Sequence, residues 1–184
     1  MIPFRRRDDP YLLVVGMTGA KIGDRIVQIG CAHGGRLGAV AVKVGLSGRF
    51  MAVVADAESA ARATKGASEA GALVEVEVAS PSSLPAENGA FDLAIIDDTG
   101  GLLASQPAAD RTALAKETFR VLRPGGRVLV IGAIPRSGIA GLLARAPSGP
   151  RTDPAPLLAA EGFKPPRVLA ERDGLVFVEA VKPR

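Results

Sequence analysis

The sequence has few of the residues that build disulfides, metal centres or aromatic surfaces. Its 184 residues include one cysteine, Cys31, and one histidine, His33. An intramolecular disulfide is therefore impossible, and a structural zinc site is excluded because it takes four Cys or His ligands. There is no tryptophan and a single tyrosine, which is a poor supply of rings for stacking on single-stranded nucleic acid.

Long apolar runs and a strong net charge are also lacking. No stretch approaches the roughly 20 apolar residues of a membrane-spanning helix, and the charged first residues do not resemble a signal peptide. The net charge is +4, from 23 basic and 19 acidic residues, which is no clear signal of nucleic-acid binding. No G-x-x-x-x-G-K-[ST] loop is present, which argues against a P-loop nucleotide hydrolase. We expect a cytoplasmic protein.

What the sequence does have is a regular alternation of short apolar runs and helical segments, with 47% hydrophobic residues. Such alternation predicts right-handed βαβ units around a parallel sheet. Residues 123–126 are predicted to form the turn between the last long helix and the fifth strand. The predicted strands are Arg25–Gly30, Arg49–Ala55, Leu73–Val78, Phe91–Ile96 and Arg127–Ile131. The predicted helices are Tyr11–Ala20, Arg36–Val44, Glu58–Ala70, Asp110–Leu122 and a short one near Ala155–Glu161.

The end of the chain breaks this parallel pattern. Two apolar runs, Arg167–Glu171 and Leu175–Val181, are joined by Asp173-Gly174, which predicts an antiparallel hairpin. We therefore predict a single α/β domain over residues 1–184, a Rossmann-like three-layer sandwich with a seven-stranded, mostly parallel sheet and an antiparallel C-terminal hairpin. The standard dinucleotide fold is parallel throughout, so the hairpin disfavours a nicotinamide-dependent oxidoreductase.

Small residues follow the first predicted strand at Gly30, Ala32 and Gly34. They let a ligand approach the backbone, and the next helix points its N–H groups at an anionic group. Asp56 ends the second strand, where a carboxylate can accept hydrogen bonds from both ribose hydroxyls and can also cap the following helix. A degraded dinucleotide fingerprint, with Gly35 as its last glycine, and a tight turn without a ligand are alternative interpretations.

Four segments in order match motifs of a known family. They are residues 25–34 (RIVQIGCAHG), 52–56 (AVVAD), 84–96 (LPAENGAFDLAII) and 117–131 (ETFRVLRPGGRVLVI). Together they resemble the class I S-adenosylmethionine-dependent methyltransferases, especially the group that includes the ubiquinone/menaquinone-biosynthesis methyltransferases. The resemblance implies S-adenosylmethionine as cofactor and a small-molecule or lipid-like methyl acceptor.

The resemblance also implies that the carboxyl ends of four strands hold the cofactor. Asp97 is expected beside the sulfonium and Asp56 on the ribose. Three positions depart from the family pattern: Gln28 and Ser80 replace acids, and Ala32 replaces a glycine. These departures keep open a second hypothesis, a catalytically degenerate binding or scaffold protein. The expected cofactor-binding residues are Gly30, Ala32, Gly34, Asp56, Ala57, Ser80, Pro81 and Asp97.

Asp97 and Asp98 are the candidate catalytic residues, since either carboxylate can orient or deprotonate an acceptor. Cation-dependent O-methyltransferases carry a metal-binding Asp at the position of Asp97, but their further Asp-Asn ligands are missing here, so no metal is expected. The alternative role for the pair is a turn and helix cap. His33 is expected to be a turn residue, and Cys31 to be buried packing.

Little is added to this core. Residues 1–22 are expected to form a lead-in segment. Residues 135–154 are interpreted as a lid over the site, as part of a subunit contact, which would make the protein a homodimer, or as ordinary surface packing.

Overall fold

The computed structural model describes residues 10–134 and 152–184, and it confirms the predicted α/β sandwich. The described strands form one seven-stranded sheet in the order β3-β2-β1-β4-β5-β7-β6. Strands β1 to β5 are parallel, and β7 is antiparallel to both β5 and β6, so the terminal hairpin is confirmed. The strands are β1 Arg25–Ile29, β2 Arg49–Val54, β3 Glu75–Val78, β4 Phe91–Asp98, β5 Leu122–Ala133, β6 Arg167–Arg172 and β7 Leu175–Val181.

Helices cover both faces of the sheet. In the described part of the chain, α1, α2 and α3 pack on one face, and α4, α5 and α6 pack on the other. Residues 1–9 and 135–151 lie outside the described residues, and with them part of the lead-in segment and most of the stretch predicted to be a lid or interface. The helices are α1 Leu12–Thr18, α2 Gly34–Val44, α3 Ala57–Ala70, α4 Leu102–Ser105, α5 Ala108–Val121 and α6 Pro154–Ala160.

The central strands are apolar along nearly their whole length because helices cover both faces. In β1, Val27 and Ile29 pack toward α4, α5 and α6, while Ile26 packs toward α1, α2 and α3. These three side chains have no solvent exposure, and full burial of each stabilises the fold by roughly 1.5–3 kcal/mol.

The fifth strand begins earlier than the sequence predicts. Leu122 already pairs with Phe91, and the ladder resumes where Arg127 pairs with Leu93. Residues 123–126, predicted to be a turn, therefore form a bulge within β5 and do not precede it. β4 also extends two residues beyond its predicted end, to Asp98, because its pairing with β5 continues.

Helix α4 was not predicted. Its four residues are too few to show a helical period, and it is held by packing of one side chain in the core and by the carboxylate of Asp98 just before it. Leu103 is fully buried, and its N–H donates to Asp98 Oδ1 at 2.7 Å.

Backbone contact between α2 and α3 positions the two helices that flank the site. A Cβ on Gly34 would overlap the carbonyl oxygen of Arg62, and a Cβ on Gly66 would overlap the backbone of Gly34. Glycine at these positions therefore allows a helix approach that any side chain would prevent.

Candidate functional site

The predicted site residues lie at one edge of the sheet, where the parallel strands β1 to β4 end. In the sheet, β1 lies between β2, which follows it in the chain, and β4. The strand order therefore reverses at β1. The crevice outside the carboxyl ends at such a reversal is the usual ligand site of open α/β sheets. Four loops meet at this edge, at residues 30–34, 55–57, 79–81 and 99–101.

The turn after β1 is held close to the sheet. Gly30 has φ +81°, a left-handed conformation that favours glycine, and its N–H donates to Val53 O at 2.9 Å. A Cβ on Gly30 would come within 3.1 Å of Asp97 O. Gln28, 4% exposed, donates from Nε2 to Gly30 O at 3.0 Å. The glutamine that replaces the family's acid thus supports the turn through a neutral donor.

Asp97 joins this turn to the loop after β4. Its side chain is only 5% exposed, and Oδ2 accepts a hydrogen bond from Ala32 N at 2.9 Å. Oδ1 accepts from Thr99 N at 3.2 Å and from Thr99 Oγ1 at 2.6 Å. Both carboxylate oxygens are engaged by the chain itself, an arrangement that suits positioning of the turn better than proton transfer.

Asp98 is half-buried beside Asp97. Burial raises the pKa of this carboxyl group, and the charge of Asp97 raises it further, although the hydrogen bond from Leu103 N opposes the change. Because Oδ1 accepts from the first turn of α4, Asp98 has the turn-and-cap role that was the alternative to catalysis. Its raised pKa also makes it a better proton acceptor than an ordinary aspartate.

Two arginines that no local pattern indicates reach this edge, one at the loop after β4 and the other at the turn after β1. Arg36, in the first turn of α2, donates from Nη2 to Thr99 Oγ1 at 2.5 Å. Arg62, on α3, donates from Nη1 to Cys31 O at 2.8 Å and from Nη2 to Glu58 Oε1 at 2.8 Å. Arg36 and Thr99 are 63 positions apart in the sequence, and Arg62 and Cys31 are 31 positions apart. Only the fold brings these residues together.

Asp56 lies at the end of β2 as the exposed N-cap of α3. Oδ1 accepts from Ser59 N at 2.7 Å, and this hydrogen bond is the main reason that the pKa of Asp56 is lowered. Ala57 is the exposed first residue of the helix. Beyond β3, Pro81 is buried and Ser80 is exposed, with its Oγ 2.7 Å from Ser82 Oγ.

Cys31 is buried as predicted, since its exposed fraction is 5% and burial raises the pKa of its thiol to about 11. His33 is exposed, and its ring lies 5.5 Å from that of Tyr11. Within residues 10–134 and 152–184, no group of three or more His, Cys, Asp or Glu side chains could hold a metal ion. No helix in those ranges is long and apolar enough to cross a membrane.

Comparison with known proteins gives one curated relative at the sequence level. It is an uncharacterized 37.1 kDa protein in transposon TN4556 of Streptomyces fradiae, 34% identical over 111 residues. The match covers 60% of this chain and 30% of that protein, so the chain spans less than a third of its relative.

Solved structures share the fold at low sequence identity. A SAM dependent methyltransferase from Aquifex aeolicus aligns with TM-score 0.75 and 19% identity, over 94% of this chain and 89% of that one. The [4+2]-cyclase SpnF aligns with TM-score 0.66 and 19% identity, over 94% of this chain and 79% of that one. A family model described as a methyltransferase domain matches residues 26–126, which is more than half of the sequence. The chain therefore belongs to the class I S-adenosylmethionine-dependent methyltransferase family.

Proposed function

We propose that the protein binds S-adenosylmethionine at the carboxyl ends of β1 to β4 and transfers its methyl group to a small-molecule or lipid-like acceptor. The observation that supports this most is the meeting of the glycine-rich turn, Asp56 and the loop after β4 at the point where the strand order reverses. A cytoplasmic location and a homodimer stay predictions.

The residues at this edge fit such a ligand. Gly30 and Gly34 let the turn lie close to the loop after β4 and to α3, since a Cβ on either would crowd Asp97 O or Arg62 O, and the methionine part of the cofactor is proposed to lie against this turn. Asp56 is exposed, and its lowered pKa keeps it ionised at neutral pH, ready to accept hydrogen bonds from ribose hydroxyls. Ser80 is exposed next to buried Pro81, and its hydroxyl can accept from the adenine amine without a charge.

In the proposed mechanism the protein supplies alignment more than acid–base chemistry. The bound cofactor would supply an electrophilic methyl group, and transfer requires the acceptor to approach in line with it. Asp97, through Ala32 and Thr99, positions the turn that holds the cofactor. Asp98, with its raised pKa, orients the acceptor or takes its proton when the nucleophile must lose one.

A binding protein without methyl transfer is the second candidate. The methyl group of Ala32 lies where the family has glycine, and a Cβ on Gly100 would lie 3.2 Å from it, so the loop after β4 packs closely on the turn. The structural likeness to SpnF, which is named as a [4+2]-cyclase, is consistent with other uses of this fold.

Isothermal titration with S-adenosylmethionine, S-adenosylhomocysteine and NAD tests the proposal. We expect micromolar binding of the first two ligands and at least a roughly tenfold loss in Asp56→Ala, the equivalent of ~1.4 kcal/mol. Asp153→Ala is the matched control, because Asp153 is also a helix N-cap, accepting from Ala155 N at 2.9 Å. Because each substitution removes a helix cap, both variants should lose ~1 kcal/mol of folding stability. The control variant should keep its affinity for S-adenosylmethionine. Absence of binding at millimolar ligand would instead support the second candidate.

A further inference from the structure

A groove of about 540 Å³ opens at the edge of the sheet opposite the candidate site, where α5 ends and β5 begins. Its volume lies in the range of small-molecule binding sites. Among the described residues, three cationic side chains line the groove, Lys116, Arg120 and Lys182, and no acidic side chain does. A cleft lined by one sign of charge attracts ligands of the opposite sign.

Only one of these three cations is neutralised by a carboxylate of the described residues. The guanidinium of Arg120 forms an ion pair with Glu117, with 2.7 Å between Nε and Oε1. Its Nη1 and Nη2 donate to Glu117, to Asn88 and to two backbone carbonyls, so Arg120 forms a wall of the groove with no donor to spare. Lys116 and Lys182 form no ion pair with a described residue.

The ammonium group of Lys182 is a fixed charge in the wall of the groove. Its Nζ donates to Phe119 O and to Leu122 O, at 2.7 Å each, and lies 4.5 Å from the centre of the Phe119 ring. The side chain is half-buried, and burial lowers the pKa of this ammonium group. Because less water screens a half-buried charge, its attraction for an anion is stronger than that of a fully solvated lysine.

Lys116 and Asn88 supply donors that a ligand can reach, since both residues are exposed. Asn88 Oδ1 accepts from Arg120 Nη1 at 2.9 Å, which orients the amide, and Nδ2 donates to no described residue. Phe119 and Pro124 line the groove beside these donors. The groove therefore combines hydrogen-bond donors and positive charge with an apolar surface.

We propose that this groove binds a small organic anion with an apolar body, such as an aryl or alkyl carboxylate. Lys116 and Asn88 hold the charged group, Lys182 adds its positive field, and the apolar body lies on Phe119 and Pro124. Charge complementarity supports this occupant, because two cations without a carboxylate partner line a groove that has no acid of its own. The inference does not depend on the proposed function, since the groove lies at the opposite edge of the sheet.

Phenylacetate and phenylacetamide have the same ring and differ in charge, and an amide NMR titration of the full chain compares them. The signals of Asn88, Gly89 and Gly125 report on the groove, and those of Gly34 and Ala57 report on the candidate site. We expect millimolar phenylacetate to shift the signals of the groove. Phenylacetamide, which lacks the charge, and acetate, which lacks the apolar body, should each bind at least about fivefold more weakly.

Lys116→Gln removes one charge from the groove, and folding should be unaffected because Lys116 is exposed. It should weaken phenylacetate binding by about twofold to fivefold and leave phenylacetamide binding unchanged. Lys43→Gln is the matched control, since Lys43 is also an exposed helix lysine but lies in α2, on the other face of the sheet. This variant should bind both ligands as the wild type does.

Three results would overturn the proposal. One is the absence of shifts in the groove with millimolar phenylacetate, and another is a response at Gly34 and Ala57 with none in the groove. The third is a Lys116→Gln variant that binds phenylacetate as the wild type does, or that weakens both ligands equally.

Discussion

The carboxylate of Asp92 joins three strands at the edge of the sheet opposite the candidate site. Oδ2 accepts from Arg25 N at 2.8 Å, at the start of β1, and Oδ1 accepts from Arg123 Nε at 2.5 Å, in the bulge of β5. Burial opposes ionisation of Asp92, but the hydrogen bonds from Arg25 and Arg123 outweigh it and lower its pKa from 3.8 to about 2.

Substitution Asp92→Asn removes this charge while keeping a side-chain oxygen for Arg25 N–H. A pKa of about 2 in place of 3.8 corresponds to roughly 2 kcal/mol of stability at neutral pH. Because the folded-state pKa is the lower one, that stability is present above the unfolded-state value and is lost as the pH falls toward about 2. The difference between wild type and variant should therefore be ~2 kcal/mol at neutral pH and roughly half of that near pH 3.

Urea denaturation followed by circular dichroism measures this difference at both pH values. Glu77→Gln is the control, because Glu77 is exposed on β3 and its substitution should change the free energy of unfolding by less than ~0.5 kcal/mol. An Asp92→Asn effect no larger than that of the control, or one that is the same at both pH values, would refute the reasoning.

Two further predictions concern the glycine-rich turn and its helix. Gly34→Ala should destabilise the protein by roughly 1–3 kcal/mol, because the new methyl overlaps α3, whereas Gly16→Ala, with nothing within 4 Å of its Cβ, should raise stability by roughly 0.5–1 kcal/mol. Thermal denaturation compares them, and equal shifts would contradict the helix contact. Cys31, with its pKa raised to about 11, should react slowly with a disulfide reagent at pH 8 in the native state and rapidly in urea. Prompt labelling of native protein would show that the turn is open.

The strands were predictable because their signals are local. Apolar runs between turns locate β1 to β5, and Asp173-Gly174 locates the hairpin. Both turn residues have positive φ, +55° and +77°, as a two-residue hairpin turn requires. The edge that holds the candidate site followed from topology, because the carboxyl ends of parallel strands lie together.

The bulge in β5, the helix α4 and the contacts of Arg36 and Arg62 were not predictable in this way. The bulge depends on the pairing of β5 with β4, and α4 depends on the burial of Leu103 in the core. Arg36 and Thr99 meet only after the sheet has assembled. The hydrogen bond from Ala32 N to Asp97 was not predictable for the same reason, since it crosses 65 positions.

The sequence by itself thus indicated the seven strands, most of the helices, the family and the loops of the candidate site, because periodicity, turn residues and motifs act over short distances. The tertiary structure decided which side chains in those loops are already engaged by the protein and which are exposed at that edge. That difference depends on burial and on long-range hydrogen bonds, which come into existence only when β1 and β4 lie side by side.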